Sequence, residues 1–207
     1  MPGQGSEAEP IVVATRNRHK LQELSELLGG LALEPLPDGV ELPSEDGDSF
    51  AANALIKARA AHRAGGRAVI ADDSGIEAAA LGGDPGIRSA RYAGPDASDA
   101  ENLARLLREV GDAGGSRAVA YVCVLAYVNA SGEEGLFEGR CEGTLAEHPR
   151  GSGGFGYDPA FLPDEVGGER TMAELLPQEK NELSHRGRAA RLLAAHLAAA
   201  RAPWGGR

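Results

Sequence analysis

A long antiparallel hairpin is the feature of this sequence that most restricts its fold. Residues 117–128 contain the longest apolar run of the chain, and residues 134–141 follow after Asn129-Ala130-Ser131-Gly132. Two strand-like segments separated by a short loop with a glycine predict a β-hairpin. The apolar run is far shorter than the roughly 18 residues that a membrane-spanning helix requires. The centre of the chain therefore predicts paired strands inside a soluble domain.

Short strands and amphipathic helices alternate along the rest of the chain. The predicted strands comprise residues 11–14, 31–36, 68–71 and 76–81. The predicted helices begin near Leu21, at about residue 50, after Ser98, at Thr171 and at His185. Glycine pairs end the first two helices, and the Ser98–Glu101 and Thr171–Glu174 spacings are typical of capping boxes. In the last helix we expect Leu192, Leu193 and Leu197 on the buried side.

The acidic balance of the chain argues against some functional classes. Its 207 residues include 21 basic and 31 acidic side chains, which give a formal charge of −10. Nucleic acids and anionic membranes bind basic surfaces, so neither is an expected partner, whereas a nucleotide needs only a local cationic pocket. Cys123 and Cys141 have no metal-ligand spacing, which indicates buried thiols in a reducing compartment. We expect a cytoplasmic protein with one domain over residues 1–207, flexible tails at 1–9 and 203–207, and no signal peptide.

The most informative short motif is Asp72-Asp73-Ser74-Gly75, which follows the apolar segment 68–71. Open α/β sheets place their chemistry at strand ends, and the glycine predicts a turn there. Because successive side chains of a strand point to opposite faces, the two carboxylates are expected to do different work. One could meet a metal ion while the other orients water or braces the loop. A capped structural turn is the alternative.

The segment Thr15-Arg16-Asn17-Arg18-His19-Lys20 joins the first strand to the first helix. Such a turn presents backbone N–H groups and the positive end of a helix dipole, which together favour anions. Lys20 adds a point charge suited to phosphate. Neither glycine pattern of the common phosphate-binding loops is present. The segment predicts a phosphate site, with a solvated basic loop as the alternative.

An acidic turn comes before the second helix. Glu45 lies in this turn, while Asn53 and Lys57 are four residues apart and share a helix face with Phe50. A carboxylate and a lysine near one pocket could hold Mg²⁺ and a phosphate. Acidic turns also serve simply as solvated helix caps, which is the alternative here.

Two later segments indicate a pocket for a flat ring. Residues 151–159 contain Phe155-Gly156-Tyr157-Asp158, and their glycines and aromatic rings predict a stacking platform for a base, with a structural aromatic corner as the alternative. Further on, Lys180 precedes Ser184-His185-Arg186-Gly187. Ser184 can cap the last helix, and a cation in the first helical turn opposes the dipole, which suggests an anionic or carbonyl-rich partner. A structural histidine is the alternative.

Together, and in this order, these segments resemble the inosine triphosphate pyrophosphatase family. The resemblance runs from Val12 to about Leu193, and its most specific parts are ADDSG (71–75), GGDPGIRSARYAG (82–94), GGFGYDP (153–159) and SHRG (184–187). It implies an α/β fold with a long mixed central sheet flanked by helices, and two lobes with an active-site cleft between them. It also implies Mg²⁺-dependent hydrolysis of non-canonical purine nucleoside triphosphates (ITP, dITP, XTP) to monophosphate and pyrophosphate, usually by a homodimer.

The resemblance further implies roles for individual residues. Asp73 would be the catalytic base and a metal ligand, and Glu45 the second metal ligand. The substrate contacts would be Thr15, Arg16, Asn17, Arg18, His19 and Lys20 at the phosphates, together with Lys57, Ser74, Phe155, Gly156, Tyr157, Asp158, Lys180, His185 and Arg186. Arg16 and His19 stand where the family's first loop often carries glycine, and Ser44 stands where some members carry a second glutamate.

The chemistry of these residues agrees with that resemblance. Mg²⁺ prefers carboxylates, water and phosphate oxygens, and Glu45 and Asp73 can begin such a ligand set. The ion and Lys20 would neutralise charge on the leaving pyrophosphate, while Asp73 would align or deprotonate water. No serine or cysteine has a partner that suggests a covalent intermediate. Two alternatives stay open: a pyrophosphatase for modified pyrimidine nucleotides, and a nucleotide-binding regulator without turnover.

Overall fold

Six strands form one mixed sheet in the computed structural model, which describes residues 9–201. The strands are β1 (Ile11–Val13), β2 (Leu33–Pro35), β3 (Val69–Ala78), β4 (Ala118–Val128), β5 (Glu134–Leu145) and β6 (Phe161–Pro163). Their order in the sheet is β2-β1-β3-β4-β5-β6. β1 is parallel to β2 and β3, whereas the pairs from β3 to β6 are antiparallel. The predicted mixed α/β fold and the predicted hairpin are confirmed.

Within residues 9–201, five α-helices flank this sheet. They are α1 (Arg18–Leu27), α2 (Phe50–Gly65), α3 (Asp99–Ala113), α4 (Pro177–Leu183) and α5 (His185–Arg201). Ser49 caps α2, and the predicted capping box of Ser98 and Glu101 opens α3. None of the helices within residues 9–201 is long and apolar enough to span a membrane. The two predicted tails lie outside the described residues, apart from Glu9.

The segment 68–81 differs from the prediction of two strands separated by a turn. It forms a single strand, β3, from Val69 to Ala78, and a 3-10 turn, Ala79–Leu81, follows. Gly75 is therefore a strand residue. A side chain at this position would collide with the Gly86 carbonyl oxygen and with Ser89 Oγ, so the glycine permits the 3-10 turn Gly86–Arg91 to pack directly on β3.

Two further predictions about local structure are wrong. Glu174 does accept from the Thr171 N–H, as in a capping box, but the helix that follows is only the 3-10 turn Met172–Glu174. It ends there because Leu176 is extended before Pro177, as residues before proline usually are. Leu192 is 52% exposed, whereas Leu193 and Leu197 are buried. The buried stripe of α5 includes Ala189, Leu193 and Leu197, spaced four residues apart, and Leu192 lies about 100° around the helix from Leu193.

The helices cover the two faces of the sheet with separate apolar clusters. On one face, Ala54 and Ala58 of α2 pack against Ala71 of β3. On the other face, α1 and α5 pack against Ile70 and its neighbours. A third cluster at the far end of β3 and β4 gathers around Leu106 of α3. Consecutive residues of β3 therefore face different helices, which is what separates the surroundings of Asp72 and Asp73. The division into two lobes stays a prediction.

Candidate active site

A cleft of about 480 Å³ lies beside β3, beyond the carboxyl end of β1. The pairing of β1 with β3 ends at Val13 and Ile70, so the loop after β1 leaves the sheet while β3 continues. Crevices of this kind, at the carboxyl end of a parallel strand, are common ligand sites in α/β sheets. The site therefore lies at the carboxyl end of β1. The turn that was predicted at Asp72 and Asp73 is absent, because β3 continues through both residues.

The cleft brings together fifteen of the seventeen predicted site residues. Those that line it are Thr15, Arg16, Asn17, Lys20, Glu45, Lys57, Asp73, Ser74, Phe155, Gly156, Tyr157, Asp158, Lys180, His185 and Arg186. Arg18 and His19 are outside this lining. The volume falls within the range of roughly 300–1,000 Å³ that is usual for small-molecule sites.

Asp72 is a buried anion that holds two cations. Lys20 Nζ binds its Oδ1, and Arg186 Nε donates to its Oδ2 at 3.2 Å. Burial alone would raise the pKa of this carboxyl, but the charges of Lys20 and Arg186 outweigh it and lower the pKa well below the usual range. Asp72 therefore stays ionised and braces the site, which matches one of the two roles predicted for the pair.

Asp73 lies in different surroundings on the opposite face of β3. Its Oδ1 is 3.7 Å from Lys57 Nζ, and its buried Oδ2 has no hydrogen-bond partner among residues 9–201. Burial raises the pKa of Asp73, and the charge of Lys57 offsets only part of that rise. A desolvated carboxylate with a raised pKa is a better proton acceptor than a solvated one, which suits a general base.

Glu45 completes a carboxylate pair with Asp73. Lys57 Nζ binds Glu45 Oε1 as well as lying near Asp73, so one lysine bridges the two acids. No cluster of three or more His, Cys, Asp or Glu side chains suited to a metal occurs in the described part of the chain. Mg²⁺, however, commonly uses one or two carboxylates and fills the remaining positions with water and phosphate oxygens. The unpartnered Oδ2 of Asp73 and the adjacent Glu45 fit that pattern.

The loop after β1 is built differently from the predicted cradle of free backbone amides. Asn17 caps α1 by accepting from the N–H groups of His19 and Lys20, and the Asn17 N–H donates to Thr15 Oγ1. Three amides of this loop are therefore already used inside the protein. The cause is the capping side chain of Asn17, which satisfies the helix terminus itself.

The two residues that depart from the family's glycine pattern have structural contacts. The Arg16 guanidinium donates to the carbonyl oxygens of Leu36, Pro37 and Val40 and so fixes the segment after β2. His19 stacks on Phe155, with ring centroids 5.1 Å apart. Both side chains tie the loop to its neighbours, where glycine would leave it free.

The two aromatic rings of the glycine-rich segment have different surroundings. Tyr157 is buried, and its hydroxyl donates to the Ser89 carbonyl oxygen at 2.7 Å, so this ring is a structural corner. Phe155 lines the cleft beside the charged groups of Lys180 and Arg186, at 5.2 and 5.8 Å from the ring centroid. Of the two rings, Phe155 is the one whose position suits stacking with a base, and His19 already stacks on one side of it.

Internal anions balance the cations near the start of α5. Ser184 caps the helix by accepting from the Gly187 N–H, as predicted. Arg186 is buried and pairs with Asp72 and with Glu23 of α1, while Lys180 pairs with Glu23 and Asp158. The anionic partner expected for the cation in this turn is therefore supplied by the protein itself.

His185 is fully enclosed beside these charges. Its ring stacks on Tyr121 with centroids 4.5 Å apart, and its Nδ1 has no hydrogen-bond partner within the described chain. Burial and the positive charge of Arg186 hold the pKa of His185 well below its usual value. The imidazole, which forms part of the cleft lining, is therefore neutral.

Comparison with known proteins identifies the family. A family model described as the Ham1 family matches residues 11–196. The chain belongs to the Ham1 family. It is 47% identical to the dITP/XTP pyrophosphatase of Methylococcus capsulatus, over 91% of this chain and 96% of that protein. It is 50% identical to the protein of the same name from Mycolicibacterium paratuberculosis, over 89% and 93%.

Solved structures of Ham1 proteins share this fold. The HAM1 protein of Coxiella burnetii superimposes with a TM-score of 0.84 and 41% identity, covering 93% of this chain and all of that one. The Staphylococcus aureus Ham1 protein gives a TM-score of 0.83 at 36% identity, with the same coverage. The predicted family and fold class are thereby confirmed.

Several residues that shape this Ham1 site were not predicted from the sequence. Glu23 holds both Lys180 and Arg186, and its spacing of three residues from Lys20 on one helix face was the signal available. Tyr121 supports His185 and donates to Asp158. The cleft lining also includes Leu42, Pro43, Gly75, Ile87, Ser89, Ala90, Arg91, Asp99 and Asn102. Most of these belong to segments whose approach to the site depends on long-range packing.

Proposed function

We propose that this Ham1 protein hydrolyses non-canonical purine nucleoside triphosphates (ITP, dITP and XTP) to the nucleoside monophosphate and pyrophosphate. The observation that carries the proposal is Asp73, a buried carboxylate with a raised pKa and an unpartnered oxygen, which faces a cleft of nucleotide size. The name dITP/XTP pyrophosphatase, borne by relatives at 47–50% identity, supports the same substrate class.

In this mechanism Asp73 aligns a water molecule and accepts its proton as the water oxygen attacks the α-phosphorus. The α–β phosphoanhydride bond breaks, and the bridging oxygen leaves with pyrophosphate. Lys57 and Lys20 supply positive charge near the cleft and stabilise the charge that develops on the leaving group. Mg²⁺ held by Glu45 and Asp73 would supply further charge neutralisation at the phosphates.

The part of the cleft beside Phe155 would hold the nucleoside. Phe155 offers a ring face for stacking, beside Lys180 and Arg186. The Arg186 guanidinium carries only hydrogen-bond donors, so it suits the O6 acceptor of hypoxanthine or xanthine. Adenine presents an amino donor at the same position. This difference supports selection of 6-keto purines.

The proposal extends to the surroundings of the enzyme. A homodimer in the cytoplasm is expected, with neither nucleic acid nor membrane as a partner. The formal charge of −10 argues against a nucleic-acid or membrane partner, and the two buried free cysteines suit a reducing compartment, whereas the dimer rests on the family resemblance. Light scattering coupled to gel filtration measures the mass in solution, and a monomer would reject the dimer.

Phosphorus NMR of a reaction with ITP and Mg²⁺ tests the central proposal. Pyrophosphate and inosine monophosphate should appear together, and stepwise formation of a nucleoside diphosphate would contradict the assigned bond cleavage. A panel of nucleoside triphosphates, including modified pyrimidines, tests the alternative substrate class. Absence of product with every triphosphate, with and without Mg²⁺, would favour the alternative of a binding protein without turnover.

A further inference from the structure

Two arginines of the 3-10 turn Gly86–Arg91 have different positions relative to the cleft. Arg91 lines the cleft, whereas Arg88 is outside the lining and pairs with Asp84 at 2.5 Å. Both side chains are about half exposed, at 40% and 56%. The same short turn thus carries one cation that faces the cleft and one that does not.

Within residues 9–201, the polar contacts of the Arg91 side chain are all with Glu45. Arg91 Nη1 is 3.8 Å from Glu45 Oε2, and Arg91 Nη2 donates to the Glu45 carbonyl oxygen at 3.3 Å. A separation of 3.8 Å is too long for a hydrogen bond, so the guanidinium is held mainly by attraction between charges. An arginine carries five N–H donors, and most of those of Arg91 are therefore unused.

The other cations near Glu45 and Asp73 are more fully engaged. Lys20 binds Asp72, Lys57 binds Glu45 and lies near Asp73, and Arg16 donates to three backbone carbonyls. A triphosphate brings several negative charges to this end of the cleft. Arg91 is the cation there with the weakest existing contacts, so it can turn toward a new anion at the smallest cost.

The backbone of Arg91 is held firmly against β3. Ser89 Oγ accepts from the Ile76 N–H at 2.9 Å and donates to the Gly86 carbonyl oxygen at 2.6 Å. Tyr157 holds the Ser89 carbonyl oxygen from the other side, and Gly75 leaves room for the turn. Only the side chain of Arg91 needs to move in order to reach a ligand in the cleft.

We propose that Arg91 is a further phosphate-binding residue of this site. From the wall formed by the turn Gly86–Arg91, it binds the phosphates that leave as pyrophosphate. It exchanges its loose contact with Glu45 for paired hydrogen bonds to phosphate oxygens, as guanidinium groups commonly make. This inference rests on the proposed function, because it assumes that the cleft receives a nucleoside triphosphate. It gives the leaving group a contact that the loop after β1 does not supply.

The test compares Arg91→Ala and Arg91→Lys with Arg88→Ala as the matched control on the same turn. Isothermal titration calorimetry measures the Kd of the full chain for α,β-methylene inosine triphosphate and for inosine monophosphate, with and without Mg²⁺. We expect Arg91→Ala to raise the Kd for the triphosphate analogue by about tenfold. This is the effect of losing a charge-assisted hydrogen bond from a partly exposed residue. The Kd of this variant for inosine monophosphate should stay within about twofold.

The controls separate this inference from its alternatives. Arg91→Lys should recover part of the affinity, and Arg88→Ala should match the unmodified protein. If Arg91→Ala and Arg88→Ala bind the analogue equally well, Arg91 is not a phosphate ligand. If Arg91→Ala raises the Kd for inosine monophosphate and the Kd for the triphosphate analogue by the same factor, the proposal is also overturned. If the unmodified protein hydrolyses ITP while either result is obtained, the proposed function stands and only this inference fails.

Discussion

Asp72 and Asp73 are consecutive residues of β3, yet their surroundings shift the pKa values of the two carboxyl groups in opposite directions. Asp72 is paired with Lys20 and Arg186, which lowers the pKa of its carboxyl, whereas burial raises the pKa of Asp73. The alternation of side chains in a strand accounts for this separation, because each carboxylate faces a different layer of helices. One residue holds the site together and the other is available for chemistry.

Asp73→Asn should abolish turnover while leaving the fold intact. It removes the proton acceptor, and general-base groups typically contribute about 10²–10⁴-fold in rate. Because burial disfavours the charged form of Asp73, replacing it by a neutral amide should leave the melting temperature unchanged or raise it. Steady-state pyrophosphate release and thermal unfolding measure the two effects. Near-normal activity in the folded variant would remove Asp73 from the role of base.

Asp72→Asn, unlike Asp73→Asn, should lower the stability of the fold. It leaves the buried cations of Lys20 and Arg186 without their shared anion, and breaking a buried pair in this way costs about 3–5 kcal/mol. Chemical denaturation should show this loss in the free energy of unfolding. A variant as stable as the unmodified protein would show that the pair does not brace the site.

Stability should fall as the solution is acidified through the ordinary range of histidine, in part because of His185. Its pKa is lowered in the folded state, so below about pH 6.5 the unfolded chain takes up a proton that the folded protein does not. The contribution is present above that pH and decreases by up to about 1.4 kcal/mol per pH unit below it. His185→Phe keeps a ring beside Tyr121 and should flatten the dependence of melting temperature on pH between about 6.5 and 5. An unchanged slope would contradict a neutral, enclosed His185.

Arg186→Ala should narrow the preference for ITP over ATP. With ATP bound, the Arg186 guanidinium would face the adenine amino group, and two donors would oppose each other. An unsatisfied buried donor costs about 1–3 kcal/mol, which lowers kcat/KM for ATP relative to ITP by roughly 5- to 150-fold. Arg186 also contacts Asp72, Glu23 and Ser74, so the substitution should lower stability as well. The ratio of kcat/KM for the two substrates, measured well below the melting temperature, isolates the effect on selectivity. Equal losses on both substrates would mean that Arg186 contacts a group common to them.

Gly139→Ala should loosen the attachment of α5 to the sheet. A Cβ atom at this position of β5 would collide with the backbone of His185 and Ala189, and neither backbone atom can move aside easily. Overpacking of this kind costs about 1–3 kcal/mol. Gly111→Ala is the matched control, because a Cβ there meets no atom within 4 Å and the residue lies in α3. Equal melting temperatures for the two variants would contradict the close contact.

Local patterns predicted β1, the β4–β5 hairpin and the capped start of α3, while most of the cleft residues came from motifs that resemble a known family. The opposite faces of Asp72 and Asp73 followed from the period of a strand, and Ser98 with Glu101 marked α3 correctly. Local patterns failed where distant segments decide the structure. Gly75 resembles a turn residue, but it lies inside β3 because β4 pairs along the whole strand and the Gly86–Arg91 turn needs the space.

The same limit applies to the partners of the charged residues. Lys20 and Arg186 were recognised as cations of the site, but their shared carboxylate, Asp72, is distant from both in sequence. Nor does any local spacing relate Arg186 to Glu23, which lies 163 residues away. Such pairs arise from the packing of α1 and α5 on one face of the sheet, and no pattern within either helix specifies it.

The position of Asp73 inside a fully paired strand determines which parts of the site can adapt to different nucleotides. β3 pairs with β4 over its whole length and is buried on both faces, so its amides should be among the last to exchange with solvent. Residues 41–47, which carry Glu45, have no regular secondary structure. Nucleotides of different size would therefore meet an Asp73 carboxylate that is fixed in position. Residues 41–47 and the exposed side chains that line the cleft are the parts that could adjust to them.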